Sequence, residues 1–90
     1  MSETVVREVA LANPLGLHAR PCHSLVTLAQ SFQSEIRIQC EGRTADASSI
    51  LALMTLGAVE GASIRVEAEG PDAGRAVDAI CLLIESEEGG

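Results

Sequence analysis

The sequence predicts one α+β domain, a two-layer sandwich of sheet and helices in the order β-α-β-β-α-β-α. Three observations predict it. First, two stretches alternate apolar and polar residues at the two-residue period of a half-buried strand. They are Ile36, Ile38 and Cys40 around Arg37 and Gln39, and Ile64, Val66 and Ala68 around Arg65, Glu67 and Glu69. Second, Cys22, Leu25, Val26, Ala29 and Phe32, and later Ala73, Ala76, Val77, Ile80 and Ile84, recur at helical spacing. Third, a chain of 90 residues that is 47% hydrophobic can enclose one modest core. All the helical stripes therefore need the same cover, the apolar face of one small sheet.

The elements follow in order. TVVREVAL, from Thr4 to Leu11, is rich enough in β-branched residues to favour a first strand. Asn13-Pro14-Leu15-Gly16 breaks it, because proline holds the preceding residue extended and glycine suits a tight turn. The first helix then sets Ser24, Thr27 and Gln30 between its apolar positions. Ile36 to Cys40 forms the second strand, Glu41-Gly42 turns the chain, and Arg43 to Ala45 returns as a third. ILALMTL, opened by Ser48-Ser49 and stopped by Gly57, reads as a short apolar helix. Ile64 to Ala68 is the last strand, and Gly70-Pro71-Asp72 opens the last helix. Periodicity assigns each strand its buried face but not its neighbours.

Composition narrows the function. The net charge is −7, and the six basic residues are all arginine. Such a chain repels phosphate backbones and anionic membrane surfaces, and Phe32 is its only aromatic, so stacking on bases is poorly served. No nucleic acid is expected as a partner. No apolar run approaches the ~20 residues that span a bilayer, and MSETVVRE lacks the form of a signal peptide. A cytoplasmic location without membrane insertion is expected, with Cys22, Cys40 and Cys81 as reduced thiols. The whole of 1–90 reads as a single domain, and ESEEGG over 85–90 reads as a frayed acidic tail.

Chemistry concentrates at NPLGLHARPC, which holds His18 and is followed at once by His23, the two histidines of the chain. Pro21 suits only the first turn of a helix, which puts His18 at the helix entrance. The amides of Ala19 and Arg20 then lack intrahelical partners, and such an end is prepared for an anion. Arg20 adds a planar fork of donors suited to phosphate or carboxylate. A neutral imidazole carries a free lone pair and needs no base to act as a nucleophile. These parts suit transient phosphorylation of His18. A histidine near a helix start also serves as a plain cap or surface residue, and Arg20 alone would be an ordinary solvated arginine.

GLHARP, from Gly16 to Pro21, resembles the active-site signature of the histidine-containing phosphocarrier (HPr) family of the bacterial sugar phosphotransferase system. SSILALMTLGA, from Ser48 to Ala58, is similar to that family's regulatory-serine segment, and the likeness runs on through AEG before Pro71 and the final helix. The resemblance implies an open-faced sandwich, a four-stranded antiparallel sheet with three helices on one side. It implies that His18 takes a phosphoryl group on Nδ1 from phosphorylated enzyme I and passes it to enzyme IIA-type proteins. Arg20 would stabilise that group, beside Ala19. The chain would then be a covalent carrier in a phosphotransferase relay rather than an enzyme in its own right, monomeric and without cofactor or metal. Ser49 would be the target of a dedicated kinase, and Ile50, Leu51 and Met54 the exposed apolar docking patch. From the residues themselves, Ser49 is a credible N-cap and the three apolar residues could equally be core.

The departures from the family are specific. Thr27, Gln30, Ser48 and Ala52 stand where it usually has docking lysines, and Cys22 and His23 replace a small and an unremarkable residue. Lost lysines should slow or redirect association. Hence the alternative reading: an HPr-fold regulatory module, or a carrier of a nitrogen-type phosphotransferase chain, switched at His18 or Ser49 without feeding sugar transport. A metal or thiol site is weaker, because His18 and Cys22 at i, i+4 supply two ligands and lack an orienting third group.

Overall fold

The computed structural model describes residues 3–86. Its strands are β1 (Glu3–Ala10), β2 (Glu35–Cys40), β3 (Arg43–Asp46) and β4 (Ser63–Gly70), and its helices α1 (Ala19–Ala29), α2 (Ile50–Met54) and α3 (Ala73–Glu85). The strands form one sheet in the order β1-β4-β2-β3, with every neighbouring pair antiparallel. The predicted α+β class and element order hold, and the helices cover one face of the sheet.

Alternation explains which face. On β4, Ile64, Val66 and Ala68 are fully buried, as is Ile38 of β2 opposite Val66. Against them lie Val77, Ile80 and Cys81 of α3, Leu25 and Cys22 of α1, and Leu53 of α2. Each large side chain of this kind contributes about 1.5–3 kcal/mol by leaving water. The other face of the sheet is open and charged: Arg37 donates to Glu67 at 2.8 Å and lies 3.7 and 3.8 Å from Glu69 and Glu35. Among the described residues no helix is long and apolar enough to cross a membrane.

Two helices stop earlier than their apolar spacing suggests, and for the same reason. The apolar spacing of α1 runs on to Phe32, but Ser31 Oγ donates to the Leu28 carbonyl at 2.6 Å and the chain tightens, with Phe32 N–H on Ala29 O. Thr55 Oγ1 likewise donates to Ala52 O at 2.7 Å, so the helix expected over ILALMTL ends at Met54. Hydroxyl groups that bond nearby carbonyls compete with the helical ladder. At the other end of the chain Glu85 closes α3 and Ser86 caps it. Residues 87–90 of the expected acidic tail lie outside the described residues.

Asp72 ties the layers together. Its carboxylate accepts the Gln33 N–H at 3.0 Å and the Ser34 hydroxyl at 2.6 Å, joining the turn after α1 to the head of α3. These donors, the Ser34 hydroxyl first, hold the Asp72 carboxyl below the ordinary aspartate range. Asp46 is lowered in the same way by the hydroxyl and N–H of Ser48. A depressed folded-state pKa contributes stability that is complete above the unfolded value, near ~3.9, and disappears as pH falls through the lower folded value. The urea midpoint of the parent should therefore drop on acidification below pH ~4. The drop should be shallower for Asp72→Asn, and parallel curves for the two proteins would refute this role of Asp72.

Candidate functional site

The loop from Leu11 to His18 is held by main-chain bonds to a second loop as well as by bonds within its own sequence. Gly61 N–H reaches Leu11 O at 2.8 Å, Leu11 N–H reaches Ala62 O at 3.0 Å, and Leu17 N–H reaches Ala58 O at 3.0 Å. Within the loop, buried Asn13 accepts the Leu15 N–H on Oδ1 at 2.9 Å and the Gly16 N–H on its carbonyl at 3.0 Å. Gly16 has φ +74°, and a Cβ there would lie 2.5 Å from Ala58 O. Asn13 was not singled out from sequence, although Asn-Pro is a known turn opener whose side chain bonds its own backbone two residues on. The pairing with Ala58 leaves no sequence signal.

This frame places His18 at the N-cap of α1, with extended backbone (φ −93°, ψ −172°). Its carbonyl takes the Cys22 N–H at 3.2 Å, which starts the helix. Its imidazole makes no capping bond and is half-buried, so the ring is not spent on holding the helix. The N–H groups of Ala19 and Arg20, both exposed residues, precede the first helical bond and have no partner inside the helix. Pro21 is buried in the first turn, as its missing N–H allows. His18, Ala19 and Arg20 thus converge on one helix end that can receive an anion's oxygens. Among the described residues Arg20 forms no ion pair.

Cys22 lies beneath, fully buried, with Sγ 3.8 Å from Leu17 O. Burial pushes its thiol up, which keeps it protonated and unreactive. His23 is exposed, one residue away on the helix.

Ser49 is the N-cap of α2, and its Oγ accepts the Ala52 N–H at 3.2 Å. Its neighbour Ser48 instead gives its hydroxyl and its N–H to Asp46 at 2.7 and 2.8 Å. The short helix sorts its apolar residues by side. Leu53 is 0% exposed and belongs to the core, Leu51 is 78% and Met54 43% exposed, and Ile50 is half-buried against the core. Because α2 packs beside α1, and Ala58 just beyond it holds the His18 loop, the two candidate clusters share one side of the molecule. Thr27, Gln30 and Ser48 are exposed there as uncharged residues.

Known proteins resemble this chain in sequence and in fold. A family model described as the "PTS HPr component phosphorylation site" matches residues 5–86. The phosphocarrier protein HPr of Cupriavidus necator is 40% identical over 83 residues, spanning 92% of this chain and 93% of the relative. The phosphocarrier protein NPr of Proteus mirabilis is 43% identical over 84 residues, with the same coverage of 92% and 93%. Among solved structures, that of HPr-C-His from Thermoanaerobacter tengcongensis superposes with a TM-score of 0.88 at 35% identity, covering 96% of this chain and 97% of that one.

Proposed function

This chain belongs to the HPr family of phosphotransferase-system phosphocarriers, and from that premise we propose that His18 accepts a phosphoryl group from phosphorylated enzyme I and hands it to an enzyme IIA-type protein. The observation that carries the reading is the imidazole of His18, free of any capping bond at a helix start whose Ala19 and Arg20 amides are also unpartnered. The lone pair of one ring nitrogen forms the N–P bond as the donor's bond to phosphorus breaks and the donor leaves with that electron pair. The ring proton stays on the other nitrogen. The two amides and the Arg20 guanidinium bear the charge of the three terminal oxygens, the group that a helix end and a planar fork of donors accommodate best. The protein turns over no small substrate of its own; it shuttles a covalent group, and it does so in the cytoplasm.

The test is an intact mass after incubation with phosphoenolpyruvate and enzyme I. One added, acid-labile phosphoryl group supports the carrier step; no added mass from a folded chain with active enzyme I would overturn it. Two observations favour a second reading, a carrier or module with regulatory rather than sugar-transport partners. The uncharged residues at 27, 30, 48 and 52 change the docking surface, and relatives named NPr match as well as one named HPr. Phosphate that reaches His18 and is then passed to no enzyme IIA of a sugar transporter would favour it.

Ser49 is the position at which a kinase would regulate docking. A phosphate there carries about −1.5 to −2 charges, and they would stand beside exposed Leu51 and Met54 and near the Asp46 carboxylate. Ser49→Asp is expected to slow phosphoryl transfer from enzyme I several-fold, whereas Ser49→Ala loses only a cap worth about 0.5–2 kcal/mol. Transfer kinetics unchanged in Ser49→Asp would remove the regulatory role.

A further inference from the structure

We propose that Asn13 is a positioning residue for phosphoryl transfer: its two oxygens close the turn before His18, so that the first main-chain N–H groups left free are those of Ala19 and Arg20. The inference rests on the carrier reading for the reaction served, and on the hydrogen bonds of residues 12–18 for the rest. Among the described residues Asn13 is the one polar or charged residue that is buried, at 5% exposure. Burying an amide costs free energy unless it is bonded, and a surface turn needs no such group. Asn13-Pro14-Leu15-Gly16 sets asparagine, proline and glycine at the first, second and fourth positions, where a type I turn favours them. The Asn13 carbonyl accepts the Gly16 N–H at 3.0 Å across that turn, and Oδ1 takes the Leu15 N–H at 2.9 Å within it.

The consequence runs along the chain donor by donor. The Ala12 N–H is held by the Ile84 carbonyl of α3 at 3.2 Å, and Pro14 has no N–H. Leu15 and Gly16 give their N–H groups to the two oxygens of Asn13, Leu17 to Ala58 O at 3.0 Å, and His18 to Gly16 O at 3.1 Å. Every amide from Leu15 to His18 is thus spent: two on Asn13, and a third on the carbonyl of Gly16, whose own N–H Asn13 holds. The next N–H groups, of Ala19 and Arg20, enter α1 without an intrahelical partner. Donors aimed at developing charge work best when they are both free and fixed, because groups that must reorient during the reaction lose their advantage. Without Oδ1 the Leu15 N–H has no partner within the turn. Gly16 is then held on that side by a single main-chain bond, and the carbonyl that receives the His18 N–H moves with it. The Asn13 side chain therefore acts on His18 through Leu15 and Gly16.

The experiment follows, in the full chain, single-turnover phosphoryl uptake over a range of phosphorylated enzyme I, together with amide hydrogen exchange. Asn13→Ala should take up the group about 10–100-fold more slowly at saturation, with the half-saturating concentration of enzyme I within about twofold of the parent's. Its Gly16 and His18 amides should exchange at least about tenfold faster, while Ala12, held by Ile84, should not change. Asn13→Asp keeps an acceptor oxygen in the place of Oδ1, since both residue types make this turn, and should recover most of the rate and the protection. Asp72→Asn, which loosens the turn after α1, is the control. It should melt lower than the parent and yet keep the parental rate and the parental exchange at His18. Should Asn13→Ala fail to fold, Asn13→Ser carries the comparison, because its hydroxyl makes the same turn more weakly and should give an intermediate rate. A parental rate at saturation in the folded variant would overturn the inference, and so would a loss that Asn13→Asp does not recover. A parent that takes up no phosphoryl group would sink the carrier reading alone; the hold of Asn13 on His18 then stands or falls with the exchange of the His18 amide.

Discussion

His18→Ala is expected to acquire no phosphoryl group from phosphoenolpyruvate and enzyme I, while melting within a few degrees of the parent. Both halves follow from the same geometry. The helix-starting bond at this position is made by the His18 carbonyl, which alanine keeps, and the imidazole makes no capping bond whose loss would cost stability. The residue is half-buried, so trimming it opens no enclosed cavity of the kind that makes core truncations expensive. The chemistry has no such reserve. Without the ring nitrogen there is no acceptor for phosphorus, and His23, exposed one residue beyond Cys22, is not at the helix entrance. Removing a nucleophile typically costs ~10⁴-fold or more, below detection in an intact mass. Arg20→Ala should behave differently, keeping the acceptor and losing one contributor to charge stabilisation, so that uptake is slowed by roughly 10–100-fold but completes. A phosphorylated His18→Ala protein would show that the acceptor lies elsewhere.

Much of this architecture was legible because it depends on local periodicity. Alternation at Ile36–Cys40 and Ile64–Ala68 is a direct record of which side of a strand meets the core, and those residues are buried in the structure. The helix entrance at His18 was equally legible, since Pro21 allows few other placements, and Ser49 caps α2 as its residue type suggests. What was not legible depends on contacts between distant parts of the chain. No pattern within β4 says that it lies between β1 and β2. Apolar spacing could not separate Leu53 from Leu51, because a short helix that is apolar on most sides gives no unique stripe; only packing buries the first and leaves the second in water. Nothing in the run Arg43 to Ala45 indicates that the Arg43 guanidinium lies 3.5 Å from the Thr55 and Leu56 carbonyls beyond α2. The loop that presents His18 is the sharpest case, since GLHARP contains the side chains proposed to function and the groups that hold the loop lie at Ala58, Gly61 and Ala62.

Gly16→Ala should expose that dependence. The parent has φ +74° at this position, where an L-residue costs roughly 1–2 kcal/mol. A methyl group would also stand 2.5 Å from the Ala58 carbonyl oxygen and 3.2 Å from the Val59 Cα, atoms of the main chain that no rotamer change can clear. One loop must move from the other, and the Leu17 N–H to Ala58 O bond is the contact that goes. A total of about 2–4 kcal/mol follows, or roughly 10–20 °C in the melting midpoint of a domain this size. Because Gly16 O also accepts the His18 N–H at 3.1 Å, the displacement reaches the proposed acceptor itself. Misplacing a reacting group by about 1 Å costs on the order of 100-fold, so transfer should fall well beyond what the fraction unfolded explains. Gly61→Ala is the control: Gly61 has φ +84° but nothing within 4 Å of a Cβ, so it bears the backbone cost without the collision. Its melting midpoint should fall less and its transfer rate should hold. Matching losses in the two variants, with transfer intact in both, would mean that Gly16 serves only the turn and that the close approach to Ala58 does not position His18.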